Sequence, residues 1–284
     1  ESLIEDYEHV LSRFRNDSLI AAIGKAEHGG SFDFPDWCAP LFDLYDALFS
    51  ATSGEIDPCV GEDLIRLGYD ASLSFTVTQD APEHLGALRG RAVWGRDVTR
   101  HGTTLVTHEP VQLDFGACGK GYLVDLLGRM LQSSQFVIDA GGDLLIHAEQ
   151  PISVALEDPE DQSHAIGIAH IANGALCASA PSRRHWNVAV NERTQIAIHH
   201  LLNAIDGLPA QQTEASWAYV PANATFNLAR DYPTAVADGL ATALFVSDVA
   251  QLQRTFDFTY ATLDESRQIA VSRNFPAELF LRSA

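Results

Sequence analysis

The chain has 284 residues, 46% of them hydrophobic and 20% charged, which is ordinary for a globular protein and enough to bury a substantial core. Its formal net charge of −20 excludes a general affinity for DNA, RNA or anionic lipid, because that affinity rests on lysine and arginine neutralising phosphates. No apolar run approaches the roughly 20 residues needed to cross a bilayer, so no membrane span is read.

Residue 1 is Glu1, and no basic segment followed by an apolar stretch opens the chain, so any targeting segment is expected upstream. Cys38, Cys59, Cys118 and Cys177 lie far apart with no C-x-x-C pair, which predicts buried free thiols and leaves the compartment open.

Leu3, Tyr7, Val10, Leu11 and Phe14 recur at spacings of three and four, predicting an amphipathic helix over residues 3–16. Leu41, Leu44, Tyr45, Leu48 and Phe49 repeat the pattern, with Gly54 of TSGEIDP placed to cap that second helix. AVWGRDV, TLVTH and VQLDF, between residues 92 and 115, read as short strands, and KGYLVDLLGRMLQ reads as a helix starting near Gly119. The order there is strand, glycine loop, helix.

FVIDAGGDLLI, ISVALED, AIGIAHI, ALCAS, HWNVAV and IAIHHLL continue as strands to residue 202. PTAVADGLATALFV (233–246) is a helix with Pro233 in its first turn, and FTYATL and QIAVSR are closing strands. Strands and helices without regular βα alternation predict an α+β fold on a largely antiparallel sheet. One domain is expected over residues 1–284, with the loop at 78–91 the best place for a local break.

Three features carry chemistry. The first is LDFGACGKGYLVD (113–125), which holds Lys120, one of only two lysines beside sixteen arginines. Neither a Walker loop nor a G-x-G-x-x-G fingerprint fits, yet glycines, a helix N-terminus and a lysine together favour an anion. A tight strand-to-helix corner with a solvent lysine is the alternative.

The second feature is Asp238 with Thr242, four apart on one helix face in an apolar segment, a hard-oxygen pair suited to Mg²⁺ or, equally, a helix with internal caps. The third is the pair His199 and His200, whose side chains point to opposite sides of a strand, so at most one faces a site. Cys118 beside Lys120 is a weaker candidate, an activated thiol.

In order, LSRFRNDS (11–18), TSGEIDPCVG (52–61), LDFGACGKGYLVD (113–125), VIDAGGD (137–143), HLLNAIDGLP (200–209) and ADGLATALFV (237–246) resemble the FAD:protein FMN transferase family, the ApbE-like proteins. The resemblance spans almost the whole chain. It implies a T-fold-like α+β domain that binds FAD and Mg²⁺, splits the FAD pyrophosphate, releases AMP and joins FMN to a threonine hydroxyl of a client flavoprotein.

Carried over by position, Asp114 and Lys120 would contact FAD, with Lys120 near the phosphates and His200 by the reacting phosphate. Glu55, Ile56 and Asp57 would border the nucleotide, and Ser179 matches the family's Ser-Gly. Asp238 and Thr242, with the carbonyls of Ala117 and Ala241, would hold the metal. Lys120, His200 and Asp238 are thus the expected catalytic set. Members of the family are often extracytoplasmic and membrane-anchored.

Where the family reads H-x-x-D-P-x-T-G, this chain has His200, Asn203, Ala204, Asp206 and Gly207, so an acid has become an amide and a threonine an acid. Its Ser-Gly is here Ser179-Ala180, and its early M-G-T segment, which helps to cover the flavin, is expected upstream. An FAD pyrophosphatase and an FAD-binding protein without transferase activity are the alternatives these changes keep open.

Overall fold

The computed structural model describes residues 2–191 and 194–280. Two compact units form, one from residues 1–116 with 184–210 and the other from residues 117–183 with 211–284. Each therefore draws on two separate stretches of chain.

The first stretch carries α1 (Ser2–Leu11), α2 (Leu19–Lys25), β1 (Gly30–Asp33), α3 (Ala39–Ala51), α4 (Gly61–Arg66), α5 (Ala81–His84), β2 (Val98–His101) and β3 (Thr104–Thr107). The three strands pair antiparallel in the order β1-β3-β2. The second stretch is opened by α6 (Gly116–Met130), followed by β4 (Phe136–Asp139), β5 (Asp143–Glu157) and β6 (Ala165–Ser179).

The third stretch returns to the first unit with the hairpin β7 (His185–Asn191) and β8 (Thr194–His199), then the short pair β9 (Leu202–Asn203) and β10 (Leu208–Pro209). The last stretch holds β11 (Thr213–Pro221), α7 (Asn227–Asp231), α8 (Pro233–Ala243), α9 (Val249–Leu252), β12 (Thr259–Asp264), β13 (Ile269–Val271) and β14 (Ala277–Leu279).

In the second unit, seven strands form one antiparallel sheet in the order β13-β12-β11-β6-β5-β4, with β14 added beside β6. Leu156, Ile166, Ile171, Leu176, Trp217 and Leu263 build a core on it, and α8 packs against β6 and β11. In the first unit, Leu64, Leu67, Tyr69 and Leu85 from the first stretch meet Trp186, Ile198 and Leu202 from the third. The expected α+β fold on an antiparallel sheet is what the chain adopts, with all four cysteines buried and none in a disulfide.

Several boundaries differ from the pattern-based expectation. The first helix stops at Leu11, and Ser18 caps a separate α2 by accepting from the Ala21 N–H at 3.1 Å. Between them Arg13 is drawn out to pair with Asp114, a tertiary contact that a heptad-like pattern cannot register. At the end of α3, the left-handed residue is Ser53 (φ 54°), and Gly54 (φ 90°) follows it, donating to the Phe49 carbonyl at 2.8 Å.

VQLDF alternates buried and half-buried as a strand does, yet Asp114 N–H bonds the Pro58 carbonyl at 2.7 Å and no ladder forms. AVWGRDV is likewise a loop until Val98, because Trp94 is an anchor in an aromatic group with Phe42 and Phe115 rather than one residue of an alternating strand. The glycine loop is itself helical from Gly116. A Cβ at Gly121 would lie 2.3 Å from the Thr234 carbonyl and 2.9 Å from Asp238 Cβ, so glycine here permits α6 to touch α8.

Candidate active site

In the second unit, Lys120 lies in the second turn of α6 and its Nζ is 2.6 Å from Asp143 Oδ2. The lysine side chain is 45% exposed, whereas Asp143 is wholly buried. Asp238, from α8, is buried beside them and accepts the Gly121 N–H at Oδ2 (2.9 Å). That N–H is the one an α-helix directs at the Ala117 carbonyl, so Asp238 and Ala117 address one donor.

Two buried carboxylates thus share one ammonium. Burial pushes Asp238 well up from the ordinary carboxylate range and its neighbour Asp143 adds to the rise, against the pull of Lys120. Burial also raises Asp143, opposed by Lys120. For Lys120 burial works downward, but Asp238 and Asp143 outweigh it and hold the group charged.

Thr242 stands one turn beyond Asp238 on α8, and the Ala241 carbonyl accepts from Ser216 Oγ at 2.6 Å. Ser179 ends β6 in register with Ser216 of β11. Asp125, at the far end of LDFGACGKGYLVD, accepts the N–H groups of Thr234 (3.1 Å) and Ala235 (2.8 Å) and so caps α8, which places Asp238 on its helix.

In the first unit, Asp114 is paired with Arg13, and its Oδ1 takes the Gly116 N–H at 2.6 Å. Arg13 also donates to the Tyr69 carbonyl at 2.6 Å and lies 4.2 Å over Phe14 and 4.6 Å over Tyr69. Tyr69 then stacks on Trp186 at 5.9 Å and lies 6.3 Å from the His200 ring. Asp114, Arg13, Tyr69, Arg184 and His200 form one cluster.

His200 Nδ1 is 3.3 Å from the Arg184 carbonyl, which only accepts, so Nδ1 carries the proton and Nε2 the lone pair. Burial pushes its pKa down to about 4, with the Arg184 carbonyl pulling the other way. His199 is the structural member of the pair, its Nε2 bonded to the Ala210 carbonyl at 2.7 Å.

Glu55 Oε1 accepts from Asn203 Nδ2 at 3.3 Å, and the Glu55 carbonyl accepts the Ala204 N–H at 3.0 Å. Ile56 is buried. Asp57 is also buried, its carboxylate turned to Cys59 N–H (2.8 Å) and to Arg91, which further holds Asp63 at 2.8 Å and the Ala204 carbonyl at 2.6 Å. Cys118 is fully buried, and the lysine two residues on turns to Asp143 instead.

The structure therefore gathers Lys120, Asp238, Thr242, Ala117 and Ala241 around α6 and α8, and Asp114 and His200 around Tyr69. Sequence reasoning assigned no role to Arg13, Asp143, Tyr69, Arg91 or Arg184. Arg13 and Asp143 lie within quoted motifs, LSRFRNDS and VIDAGGD; the other three carried no local signal.

The sequence model of the ApbE family matches residues 1–262. The FAD:protein FMN transferase of Treponema pallidum is 26% identical over 276 residues, covering 86% of this chain and 69% of that protein. Two solved structures share the fold: the ApbE protein of Thermotoga maritima (TM-score 0.75, 19% identity, 98% of this chain and 90% of that one) and the flavin transferase ApbE of Vibrio cholerae (TM-score 0.74, 18% identity, 96% and 87%). A match along residues 1–262, on the fold those two structures share, makes this chain a member of the ApbE family.

Proposed function

We propose that the chain is a flavin transferase that splits the pyrophosphate of FAD, releases AMP and joins FMN through a phosphoester to a threonine hydroxyl of a client flavoprotein. The observation that carries this reading is the charged Lys120 held between two buried aspartates at the start of α6. An ammonium fixed there and half exposed suits a phosphate ligand on a chain whose overall field repels anions.

The same cluster fits Mg²⁺. Asp143 Oδ1 is buried without a well-formed hydrogen bond among the described residues, and two carboxylates outnumber one ammonium. Among the described residues no three of His, Cys, Asp or Glu converge as a cage. In this reading the ion would rest on Asp238, Thr242 and the carbonyls of Ala117 and Ala241, with water and substrate phosphate completing its shell. Mg²⁺ would supply neutralisation of phosphate charge.

The chain's own groups do the rest. Lys120 binds and orients the FAD phosphates. Neutral His200 takes the threonine proton at Nε2 as that oxygen bonds the FMN phosphorus and the P–O bond to AMP breaks. Glu55, Ile56, Asp114 and Ser179 border the nucleotide, and Asp57, committed to Arg91, shapes the turn that carries Glu55 and Ile56.

Incubation with FAD, Mg²⁺ and a client domain, followed by mass spectrometry and chromatography, tests the reading. The expected result is a client heavier by one FMN less water together with one equivalent of AMP. AMP with free FMN and an unmodified client would make the chain an FAD pyrophosphatase; intact FAD and an unmodified client would leave it an FAD-binding protein without turnover.

A further inference from the structure

We propose that Asp143 is a positioning residue for Lys120, holding its ammonium in the orientation that meets the phosphate without adding to FAD affinity. The inference rests on the flavin-transfer reading above.

Asp143 is fixed before any ligand arrives. It opens β5 immediately after a two-glycine turn in which Gly141 (φ 70°) and Gly142 (φ 108°) adopt conformations that other residues rarely enter. Asp139 Oδ1 accepts the Gly141 N–H at 2.9 Å, and the Ala140 N–H closes onto the Asp143 carbonyl at 3.0 Å. On the other side the strand register sets Asp143 opposite Cys177, and Ala178 N–H bonds the Gly142 carbonyl at 3.0 Å. Turn and ladder together fix where the carboxylate points.

Lys120 needs such a partner. Its four-carbon stem is flexible, and an unheld lysine spends most of its time in rotamers that miss any one target. Asp238 is the other acid in reach, but its Oδ2 already accepts the Gly121 N–H and this reading gives it to the metal. Asp143 is then the group left to restrain the ammonium, at 2.6 Å.

The sign of its charge separates restraint from binding. A carboxylate beside a phosphate site repels the ligand, so Asp143 weakens FAD binding by its charge and assists turnover by its geometry. Neutralising it should split the two kinetic constants. In Asp143→Asn, kcat for AMP release is expected to fall at least tenfold while KM for FAD stays unchanged or drops. Lys120→Met combined with Asp143→Asn is expected to be no slower than Lys120→Met alone, since Asp143 acts only through the lysine.

Folding failure of the variant is covered by a measurement on the unmodified protein. With only Lys25 and Lys120 present, limited acetylation by a water-soluble ester, read by peptide mass spectrometry without FAD, compares the two amines directly. Lys120 should react at least several-fold more slowly than Lys25, and Asp143→Asn should remove that protection.

An unchanged kcat in a folded Asp143→Asn, a raised KM with kcat intact, or equal acetylation of both lysines would each overturn the proposal. If the unmodified protein releases no AMP, the transferase reading fails by itself. The acetylation comparison and the FAD affinity of Asp143→Asn, measured by flavin fluorescence, still decide the role of Asp143.

Discussion

His200 gains its proposed role from burial rather than from a charged partner. An ordinary histidine, near 6.5, would be partly protonated at neutral pH and a poor base; the protein pushes this one down to about 4. Protonation would remove the Nε2 lone pair, so the acid limb of kcat/KM for client flavinylation should have its midpoint near pH 4 to 5. A limb centred near 6.5 would show that another group limits the reaction. His200→Ala should slow transfer by about 10²- to 10⁴-fold, the range of general-base catalysis, with FAD binding retained. Arg91 works differently, as the one cation among the described residues that pairs with buried Asp57 and Asp63. Asp63 is raised to about 6 chiefly by burial, with Arg91 opposing. Arg91→Leu would strand both acids and cost about 3–5 kcal/mol, seen as a large fall in Tm. A shift under about 2 °C would show that the two acids are accommodated without it.

At the scale of elements, the glycines of LDFGACGKGYLVD look like a loop and are a helix. Propensity alone says that Gly121→Ala should stabilise α6 by roughly 0.5–1 kcal/mol. The added Cβ, 2.3 Å from the Thr234 carbonyl, would force α6 and α8 apart and strain the Asp238 contact with residue 121. Overpacking of that kind costs typically 1–3 kcal/mol, so packing should win and the variant should melt lower and lose Mg²⁺-dependent AMP release. A higher Tm would mean that the helices relax without cost. The same contrast explains what was legible in sequence. The α3 helix and the AIGIAHI and ALCAS runs that join as β6 follow from periodicity because one face of each meets a core, whereas TEASWAYVP, which forms β11, went unread. VQLDF and the part of AVWGRDV before Val98 have the right residues but join no strand ladder, and pairing is a tertiary fact. Lys120 and Asp238 could be singled out from residue type and spacing. Asp143 and Arg13 could not, since each acquires its role from a partner more than twenty residues away in sequence.

For the whole molecule, connectivity makes a prediction that composition does not. The chain passes between its two units at residues 116, 183 and 210, so neither unit is a contiguous fragment. In the first unit, Trp186, Ile198 and Leu202 pack on Leu64, Leu67, Tyr69 and Leu85, and Arg91 holds the Ala204 carbonyl. A fragment of residues 1–116 lacks all of those partners from the third stretch. Losing a buried tryptophan removes roughly 5 kcal/mol of apolar burial, and two aliphatic side chains remove about 2 kcal/mol each. Against a net stability on the order of 5–15 kcal/mol, that loss leaves nothing to hold the fragment. We therefore propose one folding domain over residues 1–284. The 1–116 fragment should show no near-ultraviolet circular dichroism and no cooperative melt, whereas the full chain should unfold in a single transition. A fragment that melts cooperatively, or a full chain with two resolved transitions, would mean that the interleaved stretches fold as separable domains.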